Sequence, residues 1–117
     1  MKRPLLVLAV LTATSALCAQ SAALQRLEIS PRHHEWAEIA VGERTLHAFV
    51  VYPEVPHRAL AVLVLHENRG LTDWVRATAD RLAEAGYIAI APDLLSGAGP
   101  DGGRTKDFAS SDAARDA

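Results

Sequence analysis

One cysteine, Cys18, is all the thiol chemistry this 117-residue sequence holds. No disulfide framework can staple it, so stability must come from a packed core. Basic charge is in no excess either: 12 Lys and Arg stand against 14 Asp and Glu, a formal net charge of −2. Without a positive field nothing holds a phosphate backbone, and nucleic acid is excluded as a partner. The apolar run at residues 4–17 falls short of the about 20 residues that a transmembrane helix needs. No internal repeat and no G-x-S-x-G or G-x-C-x-G segment occurs, so no nucleophile elbow can be read from these residues. Composition is otherwise that of a folded domain, 50% hydrophobic and 22% charged, far from the regime of disorder.

What is present begins with a basic start at Met1, Lys2 and Arg3. The apolar run follows, and then small residues at Ala19, Ser21, Ala22 and Ala23. That order describes a secretory signal peptide over residues 1–23, cleaved after Ala19 or Ser21. An uncleaved N-terminal anchor is the alternative. Cys18 carries no lipoprotein signal, because bulky Leu17 sits where a small residue is needed. Export removes Cys18 and takes the basic count from 12 to 10 against 14 acids, a net of −4. The mature protein is therefore expected to be secreted or periplasmic, with no membrane attachment after cleavage.

Residues 23–32 read as a polar lead-in, with Pro31 discouraging regular structure. Apolar and polar residues then alternate over 34–41 and again over 44–52 around Gly42-Glu43, the pattern of an antiparallel hairpin. Leu46, Ala48, Val50 and Tyr52 share one face, and Thr45, His47, Phe49 and Val51 the other. The run LAVLVL at 60–65 is continuous and apolar, as expected of a strand covered on both faces. A polar loop, His66-Glu67-Asn68-Arg69-Gly70, leads to a helix over 73–85. Its inner face carries Val75, Ala79 and Leu82, and its outer face Asp73, Arg76, Asp80 and Glu84. Thr72 is the candidate N-cap and Gly86 the C′ residue. YIAIA at 87–91 is a second buried strand. Strand, helix and strand make a parallel βαβ unit, with the helix packed across both strands. Residues 95–106 form a Gly-rich loop, and 108–117 begin another helix. Two buried strands and one helix leave apolar sheet faces open, so the domain is expected to be incomplete.

Gly97-x-Gly99-x-x-Gly102 matches the dinucleotide fingerprint in spacing. The mechanism needs those glycines to open a helix that holds a pyrophosphate. Pro100, Asp101, Gly102 and Gly103 are a poor helix start, and a flexible surface loop is the reading taken; no cofactor is expected. His33, His34 and Glu35 lack a third ligand at usable spacing, and a solvated strand start accounts for them without a metal. Ser96, Ser110 and Ser111 read as loop or helix-start residues rather than nucleophiles. Glu67 is different. It stands at the carboxyl end of a buried parallel strand, where open α/β sheets place their crevice. A carboxylate there can hold or take a proton beside N–H groups aimed at an anion. An exposed loop salt bridge to Arg69 is the competing account.

The run VLVLHENRGLTDWVRATADRLAEAGYIAIAPDLL over 62–95 resembles the dienelactone hydrolase (carboxymethylenebutenolidase) family. The resemblance is carried by the apolar strand into a polar-Glu-x-x-Gly loop, the R-x-x-A-D-x-L-A-x-x-G-Y helix and A-x-A-P-D-L. The upstream LHAFVVYP with its proline-containing loop is similar as well. It implies an incomplete α/β-hydrolase over residues 24–117, acting on a small-molecule ester or lactone through a covalent acyl-enzyme. Family members use a Cys-Asp-His triad, or Ser in some relatives, and those residues lie downstream of this segment. By the same resemblance Glu67 assists the nucleophile and the backbone N–H of Asn68 contributes to an oxyanion hole; the fragment alone is expected to be inactive. Another exported α/β-hydrolase, lipase- or peptidase-like, and a non-catalytic binding protein on the same fold remain open. Oligomeric state is not legible.

Expression in a Gram-negative host should remove the first 19 to 23 residues. N-terminal sequencing of exported material checks this, and Met1 or Lys2 retained on it would refute cleavage.

Overall fold

The computed structural model describes residues 18–117; the basic start and apolar run of the expected signal lie outside them. A helix over 18–29 (α1) comes first. Strand β1 (His34–Val41) and strand β2 (Arg44–Val51) follow, then β3 (Ala61–Leu63), helix α2 (Asp73–Glu84), β4 (Ile88–Asp93) and a short helix α3 (Ser111–Arg115). No helix among the described residues is long and apolar enough to cross a membrane.

The four strands make one mixed sheet in the order β1-β2-β4-β3. β1 and β2 are antiparallel, with Val41 opposite Arg44, so Gly42 and Glu43 alone make the turn. Gly42 takes φ 61°, and a positive φ at the first central position is what a II′ turn demands. β2 is antiparallel to β4, and β3 parallel to it. One sheet face carries the core: Phe49 and Val51 of β2, with Ala89 and Ala91 of β4, pack on Val75, Ala79 and Ala83 of α2. Alanines on both sides of that contact let the helix lie close to the strand. α2 ends as a Schellman motif, with Gly86 N–H donating to Ala83 O and Tyr87 N–H to Leu82 O, and Gly86 at φ 99°.

β3 departs from expectation. It is a three-residue edge strand, although the ladder extends through Ile88 N–H to Leu60 O and Val64 N–H to Ile90 O. Val62 and Val64 pack on the core, whereas Leu63 and Leu65 are 63% and 61% exposed. The reason is topological. An edge strand is paired on one side only, and among the described residues no helix lies over the face that Leu63 and Leu65 share.

The lead-in is also corrected. Residues 18–29 are helical, because Ala19, Ala22, Ala23, Leu24, Gln25, Arg26, Leu27 and Glu28 are good helix formers. Pro31 acts as a stop rather than as a source of irregularity upstream, since it restricts Ser30. Ala23 is buried and Leu27 packs against the core. The expected cleavage zone therefore sits on a helix that is part of the packing.

That helix covers Asp80, which sequence periodicity assigns to the solvent face of α2. Asp80 is fully buried. Arg32 makes a fork to it, with Nε 2.9 Å from Oδ1 and Nη2 2.8 Å from Oδ2. Arg26 Nε lies 2.8 Å from Oδ2, while its Nη2 reaches Glu84 at 2.7 Å. Ser30 Oγ donates to Oδ1, and His34 Nε2 stands 2.9 Å from the same oxygen. His34 thus turns inward, not to solvent as expected of the strand start; His33 stays exposed beside Glu35. Burial alone disfavours the Asp80 carboxylate, but the hydrogen bonds from Arg32, Ser30 and His34 and the Arg32 charge outweigh it. They hold the carboxyl well below the usual range.

The Gly-rich loop contains local structure. It folds into two single 3-10 turns, Pro100–Gly102 and Thr105–Asp107, and Arg104 stacks over the Trp36 ring of β1 at 4.1 Å.

Asp80→Asn should destabilise the fold by about 3–5 kcal/mol, the usual loss when one side of a buried ion pair is removed. Because the native carboxyl is depressed, its stabilisation is fully present above the unfolded value, near 3.8, and is lost as pH falls below it. Urea titrations from pH 7 to 3 should show that acid slope in the wild type and a flatter one in Asp80→Asn. Equal slopes would refute the assignment.

Candidate functional site

β3 and β4 are parallel, so their carboxyl ends lie at the same edge of the sheet. The residues that follow them, 66–72 and 94–105, form a paired set of loops. A carboxylate joins the two. Asp93, at the end of β4, is buried, and its Oδ1 accepts from Leu95 N–H at 3.2 Å and from Thr105 Oγ1 at 2.6 Å. Its Oδ2 accepts from Thr105 N–H at 3.0 Å. The Thr105 hydroxyl in turn accepts from Leu71 N–H at 2.9 Å. One side chain thereby connects the loop after β4 to the loop before α2. Gly70 is required at this junction: it takes φ 78°, and a Cβ there would fall 2.2 Å from Thr105 Oγ1.

His66 makes the second connection. Its Nδ1 lies 2.6 Å from Glu67 O, and its Nε2 accepts from Leu94 N–H at 2.9 Å. Glu67 O also accepts from Gly70 N–H at 3.2 Å. Sequence reasoning passed over His66, Asp93 and Thr105. The readable signal was positional, since both His66 and Asp93 stand where adjacent parallel strands end.

Glu67 opens onto a cleft of about 960 Å³, bordered also by Arg69, Trp74, Val75 and Ser110. Among the described residues its carboxylate has neither ion pair nor hydrogen bond. Arg69, the partner proposed for a loop salt bridge, lies instead 3.7 Å from Asp112 of α3. Asn68 is exposed, and its N–H has no acceptor among the described residues. The site thus presents a free carboxylate and a free backbone donor from consecutive residues. Such a pair can take or hold a proton and stabilise developing negative charge.

The serines do other work. Ser110 Oγ accepts from Ala113 N–H at 3.1 Å and caps α3, and Ser111 is that helix's first residue. Ser96 is buried, its Oγ accepting from His47 N–H at 3.0 Å and donating to Asp93 O. The Gly97-x-Gly99-x-x-Gly102 segment runs into the three-residue turn Pro100–Gly102, so no helix N-terminus stands there to face a pyrophosphate.

Known proteins similar to this chain are hydrolases by name. A protein of Escherichia coli (strain K12), named as a candidate hydrolase fragment, YghX, is 44% identical over 59 residues, 50% of each chain. A candidate carboxymethylenebutenolidase of Saccharolobus solfataricus is 47% identical over 51 residues, 44% of this chain and 19% of that protein. The chain thus spans half the length, or less, of the curated relatives it matches. The dienelactone hydrolase family matches residues 46–117, more than half of the sequence and all of the strand-end loops described above, and the chain belongs to that family.

Proposed function

We propose that this chain is the front part of an exported hydrolase that cleaves a small-molecule ester or lactone. In this reading residues 24–117 are an incomplete α/β-hydrolase, an antiparallel hairpin leading into a parallel βαβ unit. The nucleophile and its base come from sequence beyond residue 117. The thiolate or alkoxide attacks the acyl carbon, the carbonyl π pair moves to oxygen, and the Asn68 N–H stabilises that oxyanion. The base takes the nucleophile's proton as attack begins and gives it to the departing alcohol as the adduct collapses; water then adds to the acyl carbon, its proton passes through the base back to the nucleophile, and the acid leaves. Glu67 assists by holding the proton of the resting nucleophile. The observation that carries the reading is the unpaired Glu67 carboxylate, in the large cleft at the ends of two parallel strands, in a member of this family. Without a nucleophile the 117 residues are expected to turn over no substrate.

The test is Glu67→Gln in the full-length protein. The change keeps shape and removes charge, so the melting temperature should hold while kcat/KM on an ester or lactone falls about 10²–10⁴-fold. Wild-type turnover by a folded Glu67→Gln protein would refute the role.

A further inference from the structure

We infer that His66 is a positioning residue: its imidazole pins the peptide between Glu67 and Asn68 and thereby fixes the direction of the Asn68 N–H. The inference rests on the proposed use of that N–H for an oxyanion. His66 is nearly enclosed, its side chain 4% exposed, and each ring nitrogen is engaged. Leu94 N–H can only donate, so Nε2, at 2.9 Å, must offer its lone pair. The ring proton is then on Nδ1, which donates to Glu67 O at 2.6 Å. With both nitrogens committed, this histidine is not free to serve as the base of a hydrolase. It acts through the backbone instead.

The C=O of Glu67 and the N–H of Asn68 belong to one planar trans peptide and point in opposite directions. Drawing the carbonyl toward His66 therefore aims the N–H from the opposite edge of the same plane, where no acceptor among the described residues takes it. Among the described residues Gly70 N–H, at 3.2 Å, is the only other bond on that carbonyl. Once the imidazole is removed, the plane retains a single long tether and can swing. Through Leu94, the residue after the end of β4, the same ring references the donor to the neighbouring parallel strand. That places the donor on the rigid sheet rather than on the loop alone.

Two variants of the full-length protein separate the bonds. In His66→Asn the amide nitrogen occupies the place of Nδ1 and keeps the bond to Glu67 O. In His66→Gln the amide oxygen reaches the place of Nε2 and keeps only the bond from Leu94 N–H. The expected result is a fall in kcat of about 10–10²-fold in His66→Gln, with KM nearly unchanged and kcat largely retained in His66→Asn. A merely structural histidine would lower the melting temperature of both and leave kcat of the folded fraction alone. Nitrogen-15 NMR of the wild type should show a neutral, Nδ1-protonated imidazole; an Nε2-protonated ring or an imidazolium at neutral pH overturns the inference even where a variant fails to fold. Glu67→Gln run alongside keeps the two readings apart. Impaired Glu67→Gln beside an unimpaired, folded His66→Gln overturns the positioning role, whereas a folded full-length wild type that turns over no ester or lactone overturns the functional reading beneath it.

Discussion

Four groups converge on the carboxylate of Asp80, and the arrangement of the N-terminal third depends on that convergence. An isolated buried carboxylate costs several kcal/mol of lost hydration. Here Arg26, Ser30, Arg32 and His34 replace that hydration from α1, from the segment after it and from the first residue of β1. They add a directional constraint to the apolar packing of α1, where Ala23 is buried and Leu27 rests on the core, and to the β1–β2 ladder. The charge therefore specifies position: shifting α1 or sliding β1 by one residue would strand a carboxylate, two guanidiniums or both. These groups hold the C-terminal half of α2 from one side while the alanines of β4 pack on it from the other.

Asp93 does at the strand ends what Asp80 does at the helix, by different chemistry. Its partners are backbone N–H groups and one hydroxyl rather than cations. Neutral donors arranged in this way define loop shape without adding charge next to Glu67. Among the described residues lining the cleft Glu67 keeps a carboxylate without a partner, while the carboxylate of Asp93 is consumed by structure. Gly70 marks how tightly the two loops meet, since even a methyl group would collide with Thr105.

Local signals in the sequence were legible where local physics decides. The helix over 73–84 and its stop at Gly86 follow from periodicity and from the one residue that tolerates a left-handed turn. Ser110 at the start of α3 follows from capping. Glu67 could be singled out because the end of an apolar strand is readable from the run LAVLVL, and the α/β character of the chain from the same runs. Asp80 was misassigned because a charge on a helical wheel is read as solvent-facing, and its neighbours lie about fifty residues upstream at Arg26 to His34. The exposure of Leu63 and Leu65 was hidden for a related reason: hydrophobic sequence records what a strand would bury, not which neighbours are there to bury it. The bond between His66 and Leu94 joins two loops whose conformations no propensity encodes.

The strand order β1-β2-β4-β3 carries a consequence for the time course of assembly. β1 and β2 are sequence neighbours and can meet as soon as both exist, on the microsecond scale of hairpins. β3 has no such partner. Among the described residues its one ladder is with β4, which is made after α2 and which must also slot beside β2. Of the four described strands the last to be made lies between β2 and β3, and until it arrives the other three cannot form a common sheet. Such non-local closure is slow relative to helix formation and leaves apolar strand edges uncovered in the interval. A nascent chain of this kind has a long window of stickiness, set by the order of its strands rather than by the strength of its contacts.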